Sequence, residues 1–218
     1  MENPFASEDL LLRNTTQKLN LYAGIRGSLS SAFTFNISTY LEKFNDFYFY
    51  IPDTISSHEN KFQLMYHNLN RSRFLAEITY QKAEKLKIAA KGEYFIYSLP
   101  EADEEERAWQ RPDFKFTLSS VLDLSDKIII KGDLFLIGSR NVYSYYEPNE
   151  ELDFNLIGGR YIYKLKPFID MNIMAEYRYN KRVSAFIQFN NFTAKKYQFW
   201  TNYPVQSINI LGGVTFSF

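Results

Sequence analysis

The chain has 218 residues, of which 45% are hydrophobic and 18% aromatic, with 17 Tyr and 20 Phe but 2 Trp. Its 25 Lys and Arg balance its 25 Asp and Glu, which gives no sign of a nucleic-acid partner, and it has no cysteine for disulfides, thiolate metal sites or nucleophilic catalysis. The chain has no run of 18 apolar residues, so no transmembrane helix is predicted. Residues 1–12 have no basic region followed by an apolar stretch, so they do not resemble a signal peptide.

The first half of the chain alternates between apolar and polar residues. A period of two predicts β-strands whose two faces meet different surroundings. The first strand is predicted at residues 17–27 and is followed by a tight connection at 28–30. A second alternating segment begins at residue 31 and continues, through a bulge, into the aromatic run 47–50, before a loop at 52–60.

Residues 61–80 allow two interpretations. Their apolar residues keep even numbering on both sides of the polar segment 68–72. That segment could be a hairpin turn, which gives two strands and ten in total, or a polar interruption in one strand of about 20 residues, which gives nine. The preserved parity favours the single strand.

Later segments repeat the same pattern. Further strands are predicted at residues 86–97, 114–119, 128–136, 169–179, 183–190 and 205–218. Tight turns are predicted at 28–30, 82–85, 124–126 and 180–182, and long loops at 52–60, 99–111, 139–167 and 193–204. The longest irregular stretch, 139–167, is predicted to hold a short hairpin around 154–163. No helix, linker or domain boundary is evident, so residues 1–218 are expected to form one domain with an irregular segment at 1–16.

Short turns that alternate with long loops are typical of outer-membrane β-barrels. A β-sandwich is the alternative, but its strands are usually about 5–6 residues long, shorter than those predicted here. The predicted fold class is therefore all-β: an antiparallel transmembrane β-barrel or partial barrel of about 9–10 long strands, with short periplasmic turns and long extracellular loops.

One face of the predicted strands carries Ile, Leu, Val, Ala and Phe, and the other carries charges. Charged side chains directed into a dry core would be very unfavourable, so the charged face must meet water, and the apolar face must meet lipid or a second sheet. The candidate lumen-lining residues are Lys87, Lys91, Glu93, Lys131, Asp133, Glu176 and Arg178. Mutual pairing and hydration inside the barrel is the simpler role for them, and a solute path or contact with a plug is the alternative.

The C-terminal segments resemble a known family. Segments 166–173 (KPFIDMNI), 177–182 (YRYNKR), 189–197 (FNNFTAKKY), 203–205 (YPV) and 212–218 (GGVTFSF) resemble the closing strands of TonB-dependent receptor barrels, especially those of Bacteroidota. Segment 109–114 (WQRPDF) resembles the same lineage. The likeness is closest over residues 165–218 and weaker over 17–140.

The resemblance implies an outer-membrane protein in which the terminal strand, with Phe216 and Phe218, is the signal read by the barrel assembly machinery. It also implies a plug domain and an energy-coupling segment that meets TonB, and nothing in the chain resembles either one. Because bacterial single-chain barrels have even strand numbers, nine strands without a plug are expected to be the C-terminal part of a larger barrel.

The function expected from this resemblance is the wall of a transporter that takes up nutrients across the outer membrane. Lipid and the assembly machinery are the expected partners, without nucleic acid, cofactor, metal or catalysis. One alternative is a small stand-alone barrel with a structural or adhesive role. The other is a barrel hydrolase that uses His58 or His67, the two histidines, although neither lies in a recognisable catalytic or metal-binding pattern.

Two further features of the loops have competing interpretations. The acidic run 101–106 is expected to be solvated rather than to bind cations. Aromatic residues in or near the long loops are expected to form the outer aromatic girdle of the membrane interface, with ligand stacking as the alternative. They are Tyr48, Tyr50, Tyr143, Tyr145, Tyr146, Tyr161, Tyr163, Trp200 and Tyr203.

Overall fold

The computed structural model describes residues 12–53, 61–125, 127–145, 147–148, 152–201 and 203–217. Within these ranges every regular element is a β-strand and all strand pairs are antiparallel, which confirms the predicted fold class. A helix long and apolar enough to cross a membrane does not occur within them.

The strands form three sheets in which neighbouring strands are hydrogen-bonded. The strands are β1 (Thr16–Ser28), β2 (Phe33–Pro52), β3 (Phe62–Lys82), β4 (Leu86–Ser98), β5 (Phe114–Asp123), β6 (Ile128–Ile137), β7 (Arg140–Ser144), β8 (Phe154–Ile157), β9 (Arg160–Leu165), β10 (Phe168–Arg178), β11 (Val183–Asn190), β12 (Gln198–Trp200), β13 (Tyr203–Pro204) and β14 (Asn209–Phe216). The main sheet has nine strands in the order β1-β2-β3-β4-β5-β6-β10-β11-β14. We call this sheet the wall.

The wall resolves the two interpretations of residues 61–80. A single strand, β3, extends from Phe62 to Lys82 and pairs along its length with β2, so the nine-strand interpretation is confirmed. The polar residues at 68–72 continue the ladder instead of turning. Backbone pairing on both sides keeps this segment extended despite its turn-like composition.

A bulge interrupts β2 where the sequence predicts one. Between the pairs Phe44–Leu69 and Phe47–His67, β2 has two residues and β3 has one. Asp46 takes the left-handed conformation there, with φ 50°, and its N–H donates to the Asn68 side chain at 3.3 Å. The extra residue reverses the parity of β2, so Phe47 and Phe49 face the same side as the charged residues before the bulge, and Tyr48 and Tyr50 face the apolar side.

Turns and loops alternate between the two rims as predicted. Residues 29–32, 83–85, 124–127 and 179–182 connect strands at one rim, which we call the short-turn rim. Residues 53–61, 99–113, 138–167 and 191–208 connect them at the other. Two of these long connections contain more structure than expected, since β7 joins the predicted hairpin as a three-stranded sheet and β12 pairs with β13. The last strand is shorter than the predicted 205–218, because its ladder begins at Asn209.

The strand register aligns the apolar residues of neighbouring strands on one face of the wall and most of the charged residues on the other. On the apolar face, one row of paired residues crosses seven strands as Ile25, Ile37, Ala76, Gly92, Phe116, Leu136 and Ile169. The neighbouring row on the polar face is Arg26, Asn36, Glu77, Lys91, Thr117, Phe135 and Asp170. Most of the large apolar side chains that stay exposed on the wall lie on the apolar face, whereas Tyr22, Val121 and Leu211 are exposed on the polar face.

The buried core lies at the long-loop rim. Its main cluster joins the end of β2 to the long loops and consists of Phe47, Phe49, Ile51, Leu69, Ala108, Trp109 and Tyr143. A second cluster of Val142, Tyr163 and Leu165 lies within the β7–β9 sheet. We call the long loops and the residues that pack against them the loop cap.

Candidate functional site

All seven predicted lumen residues lie on the polar face. The register aligns Lys91 with Glu77, Asp133 with Ser119, and Arg178 with Ser184, which places their side chains on the same side of the wall. Lys87, Glu93, Lys131 and Glu176 share this face by period two along β4, β6 and β10. Their role as the lining of a lumen stays a prediction.

Ion pairs link several strands across the polar face. Arg71 donates two hydrogen bonds to Glu42, at 2.7 and 3.0 Å, in a bidentate pair with little exposure. Glu93 lies 3.3 Å from Lys91 and 3.6 Å from Arg73, and the guanidinium of Arg73 also lies 3.9 Å from the centre of the Tyr40 ring. The face is therefore a paired charge network rather than a set of isolated charges.

Sequence analysis did not select Glu42, Arg71 or Arg73 as lumen candidates. Arg71 and Arg73 fall in the segment that could have been a turn, so their partners could not be assigned before the register was known. Their odd numbering, which they share with the charged positions of the neighbouring β4, is the signal that could have identified them.

The loop cap is closed by hydrogen bonds between loops that are far apart in sequence. Arg140, which is 3% exposed, donates to the carbonyl oxygens of Phe199 at 2.6 Å and Gln198 at 2.7 Å. The Gln110 side chain donates to Thr201 Oγ1 at 2.8 Å. These contacts join three of the four long connections, so the cap is one packed unit.

Trp109 is the centre of the cap. Its indole is 1% exposed, lies edge-on to Tyr143 with the ring centres 4.9 Å apart, and donates from Nε1 to Glu106 at 2.7 Å. Arg160 pairs with Glu106 at 3.0 Å and with Glu105 at 3.3 Å. Part of the acidic run 101–106, expected to be solvated, is thus used to hold the β8–β9 hairpin against its neighbouring loop.

Burial shifts the pKa values of two side chains in the cap, Arg140 and Tyr143. Desolvation lowers the pKa of Arg140 to about 10, and its two carbonyl partners hold a guanidinium that is still charged at neutral pH. Burial is also the main cause that raises the pKa of the Tyr143 hydroxyl, with Tyr145 contributing. Both groups keep their ordinary charge at pH 7, which suits a structural role.

The predicted aromatic girdle is only partly supported by the positions of its members. Tyr143 is 3% and Tyr163 6% exposed, so both belong to the buried core of the cap and their assignment to the girdle was wrong. Tyr48 is 38% exposed on the wall. Tyr50 contacts Trp200 of the β12–β13 hairpin at 5.1 Å between ring centres. Tyr146 lies outside the described residues.

A cavity of about 460 Å³ lies between the loop at residues 99–113 and the end of β4. Its lining carries both signs of charge, with Asp103, Glu106, Arg107, Arg111 and Lys164, together with aromatic residues of β4. Such a mixture of aromatic and charged groups can bind a polar solute that has an apolar body.

The remaining candidates from the sequence are the two histidines and the terminal phenylalanines. His67 lies on the polar face, and its Nε2 is buried without a hydrogen-bond partner in the described chain. No group of three His, Cys, Asp or Glu within the described residues could hold a metal ion. Phe216 is 56% exposed at the end of β14, whereas His58 and Phe218 lie outside the described residues.

The fold is similar to that of solved outer-membrane receptors and transporters. The ferripyoverdine receptor of the outer membrane of Pseudomonas aeruginosa aligns with a TM-score of 0.67 and 15% identity, over 91% of this chain and 27% of that chain. The ferric-catecholate import receptor Fiu from E. coli K12 aligns at 0.64 and 11%, over 91% and 27%. The copper transporter OprC aligns at 0.62 and 15%, over 91% and 30%.

No protein-family model and no curated protein matches the chain. At such low identity the structural likeness shows the fold alone, which is similar to part of the barrel of these receptors and transporters. The chain spans 27% of the length of the first two receptors. The narrower resemblance to Bacteroidota receptors stays a prediction.

Proposed function

We propose that this chain forms part of the wall of an outer-membrane β-barrel that takes up a nutrient, in the manner of TonB-dependent receptors. The carrying observation is the combination of a nine-stranded antiparallel meander, an apolar face, an opposite charged face, and loops packed together at one rim only. Solved structures of outer-membrane receptors and transporters are similar in fold over 91% of the chain, which supports the proposal.

In this proposal the apolar face meets lipid and the polar face meets water. Lys87, Lys91, Glu93, Lys131, Asp133, Glu176 and Arg178 then line the lumen, where their charges are hydrated, paired, or in contact with a plug. The proposal is non-catalytic, and it includes an assembly signal at Phe216 and Phe218, a plug and TonB as partners, and membership of the Bacteroidota lineage.

The parity of the wall supports a larger barrel. In a sheet of nine antiparallel strands the two edge strands, β1 and β14, run in the same direction. Antiparallel closure therefore needs an odd number of additional strands between them. Each open edge would otherwise expose unpaired backbone groups to lipid, which is strongly unfavourable.

Location and orientation can be tested by cysteine labelling, because the chain has no native cysteine. Glu104→Cys places a thiol in the long loop at residues 99–113, and Glu84→Cys places one in a short turn. A membrane-impermeant maleimide added to whole cells is expected to label the first variant only. After permeabilisation both should react, which controls for exposure. Labelling of both or neither in intact cells would contradict the proposed orientation.

Uptake needs a separate test. The named structural neighbours are receptors or transporters of iron complexes and copper, so radiolabelled ferric chelates and copper are the first solutes to compare. Deletion of the gene should lower the cell-associated label for at least one solute, and the native gene should restore it. Correct surface labelling with unchanged uptake of the tested solutes would favour a structural barrel.

A further inference from the structure

A basic cavity lies at the short-turn rim, at the opposite end of the wall from the loop cap. It has a volume of about 550 Å³, and its cationic lining residues are Lys127, Arg178, Lys181 and Arg182. Among the described residues that line it, Glu176 alone is acidic. The described lining residues therefore carry four positive charges against one negative charge.

Backbone hydrogen bonds fix the positions from which these side chains extend. The N–H of Arg178 donates to the carbonyl of Lys127 at 2.7 Å, which joins the two neighbouring turns. The Asn180 side chain accepts hydrogen bonds from the N–H groups of Arg182 at 2.8 Å and Val183 at 2.9 Å. The four cationic side chains consequently extend from two neighbouring turns and from the end of β10, which hydrogen bonds hold together.

The described residues do not balance the charge of the cavity. Arg178 uses its Nε to bind Glu176 at 3.1 Å. Lys127, Lys181 and Arg182 form no ion pair with any described residue. Like charges in one concavity repel each other, and a bound anion would relieve this repulsion.

The cavity opens on the polar face. Ser184 and Thr215 line it and lie in the same register row as Arg178, so their hydroxyls add neutral donors on the aqueous side of the wall. Phosphate and carboxylate groups are bound in proteins by this combination of guanidinium, ammonium and hydroxyl donors.

We propose that the basic cavity binds an anionic group, a phosphate or a carboxylate, that reaches the short-turn rim from the aqueous side. This site is separate from the loop cap and does not depend on uptake. The anionic group can belong to a soluble solute or to the headgroup of an anionic phospholipid, and the two sources share the same recognition chemistry.

The test uses the full chain folded in neutral detergent and inorganic pyrophosphate as the probe, with binding measured by titration calorimetry. The native chain should bind with a dissociation constant of about 1 mM or tighter. The double variant K181Q/R182Q should bind at least about tenfold more weakly, because two charge-assisted contacts are lost. K127Q, on the other turn, should weaken binding by about threefold if both turns contribute.

The matched control is K82Q/K85Q, which removes two cations from the end of β3 and the short turn after it, outside the cavity. It should leave pyrophosphate binding unchanged, and far-UV circular dichroism should be the same for all variants. Absence of binding to the native chain, or an equal loss in the control, would overturn the proposal.

Micelles doped with phosphatidylglycerol or phosphatidylcholine separate the two sources of the anion. Competition with pyrophosphate by phosphatidylglycerol alone, lost in K181Q/R182Q, would support a headgroup as the occupant. Pyrophosphate binding that neither lipid reduces would support a soluble anion.

Discussion

The wall and the loop cap treat their apolar side chains in opposite ways. In the wall, Ile78 is 44% and Tyr94 49% exposed, although both belong to central strands. In the cap, Phe49 is 0% and Trp109 1% exposed. In the proposed barrel, the apolar face of the wall is covered by lipid, whereas the cap extends into water and must bury its apolar residues within itself. The stability of the wall should therefore depend on the membrane, and that of the cap on its own packing.

The largest effect is expected in the cap. Trp109→Ala should remove about 3–5 kcal/mol of local stability, because a large indole is lost from a fully packed site. Hydrogen exchange should accelerate for amides of residues 99–113 and of β7–β9, with little change in β4–β6. This result would establish the cap as a separate cooperative unit.

Trp200→Ala is the control for that experiment, since Trp200 is the other tryptophan and is less buried. It should accelerate exchange less than Trp109→Ala. Equal acceleration in the wall and the cap would show that the two regions unfold together and would remove the distinction between them.

A lysine scan at two adjacent wall residues tests the opposite faces. Leu118 pairs with Ala90 and Leu134 on the apolar face, and Ser119 pairs with Ala89 and Asp133 on the polar face. Leu118→Lys should destabilise the chain in lipid vesicles by about 2–4 kcal/mol, because a charge enters the hydrocarbon. Ser119→Lys should change the unfolding free energy by less than about 1 kcal/mol.

Denaturant titration of the vesicle-inserted chain measures both variants. A similar loss for Leu118→Lys and Ser119→Lys would mean that both faces meet the same medium. That outcome would be incompatible with one face in lipid and the other in water.

The smallest effect concerns the charge network of the polar face. Glu42→Gln should destabilise the wall by about 1–2 kcal/mol, because the charge of Arg71 loses a bidentate partner in a site with little exposure. Lys91→Gln should have an effect of about 0.5 kcal/mol or less, since Lys91 is 43% exposed and Glu93 keeps Arg73 nearby.

Both variants can be compared by denaturant titration over a range of salt concentrations. A loss for Lys91→Gln as large as that for Glu42→Gln would indicate that the polar face is dry throughout. That result would contradict its assignment to water.

Much of the wall could be predicted from the sequence because period-two alternation is a local property. Residues 17–27 and 183–190 differ from the observed β1 and β11 by a residue or less at each end. The bulge was expected from the break in alternation before Phe47, but its effect, which is to direct Phe47 and Phe49 into the cap, depends on pairing with β3.

The cap was harder to predict, because its residues are buried by partners far away in the chain. Tyr143 looked like an interfacial aromatic by position and composition, yet it packs on Trp109. Arg140 carried no recognisable signal, since its partners are backbone carbonyls 58 and 59 residues away. The acidic run likewise gave no indication that Glu106 accepts a hydrogen bond from an indole.

The sequence by itself determined the strands, their two faces and the alternation of short turns with long loops, because each is encoded in the spacing of neighbouring residues. The tertiary structure decided that residues 61–80 form one strand, which charges pair across the polar face, and how the loops close into a cap. Those features depend on register and on contacts between distant segments, and local alternation specifies neither.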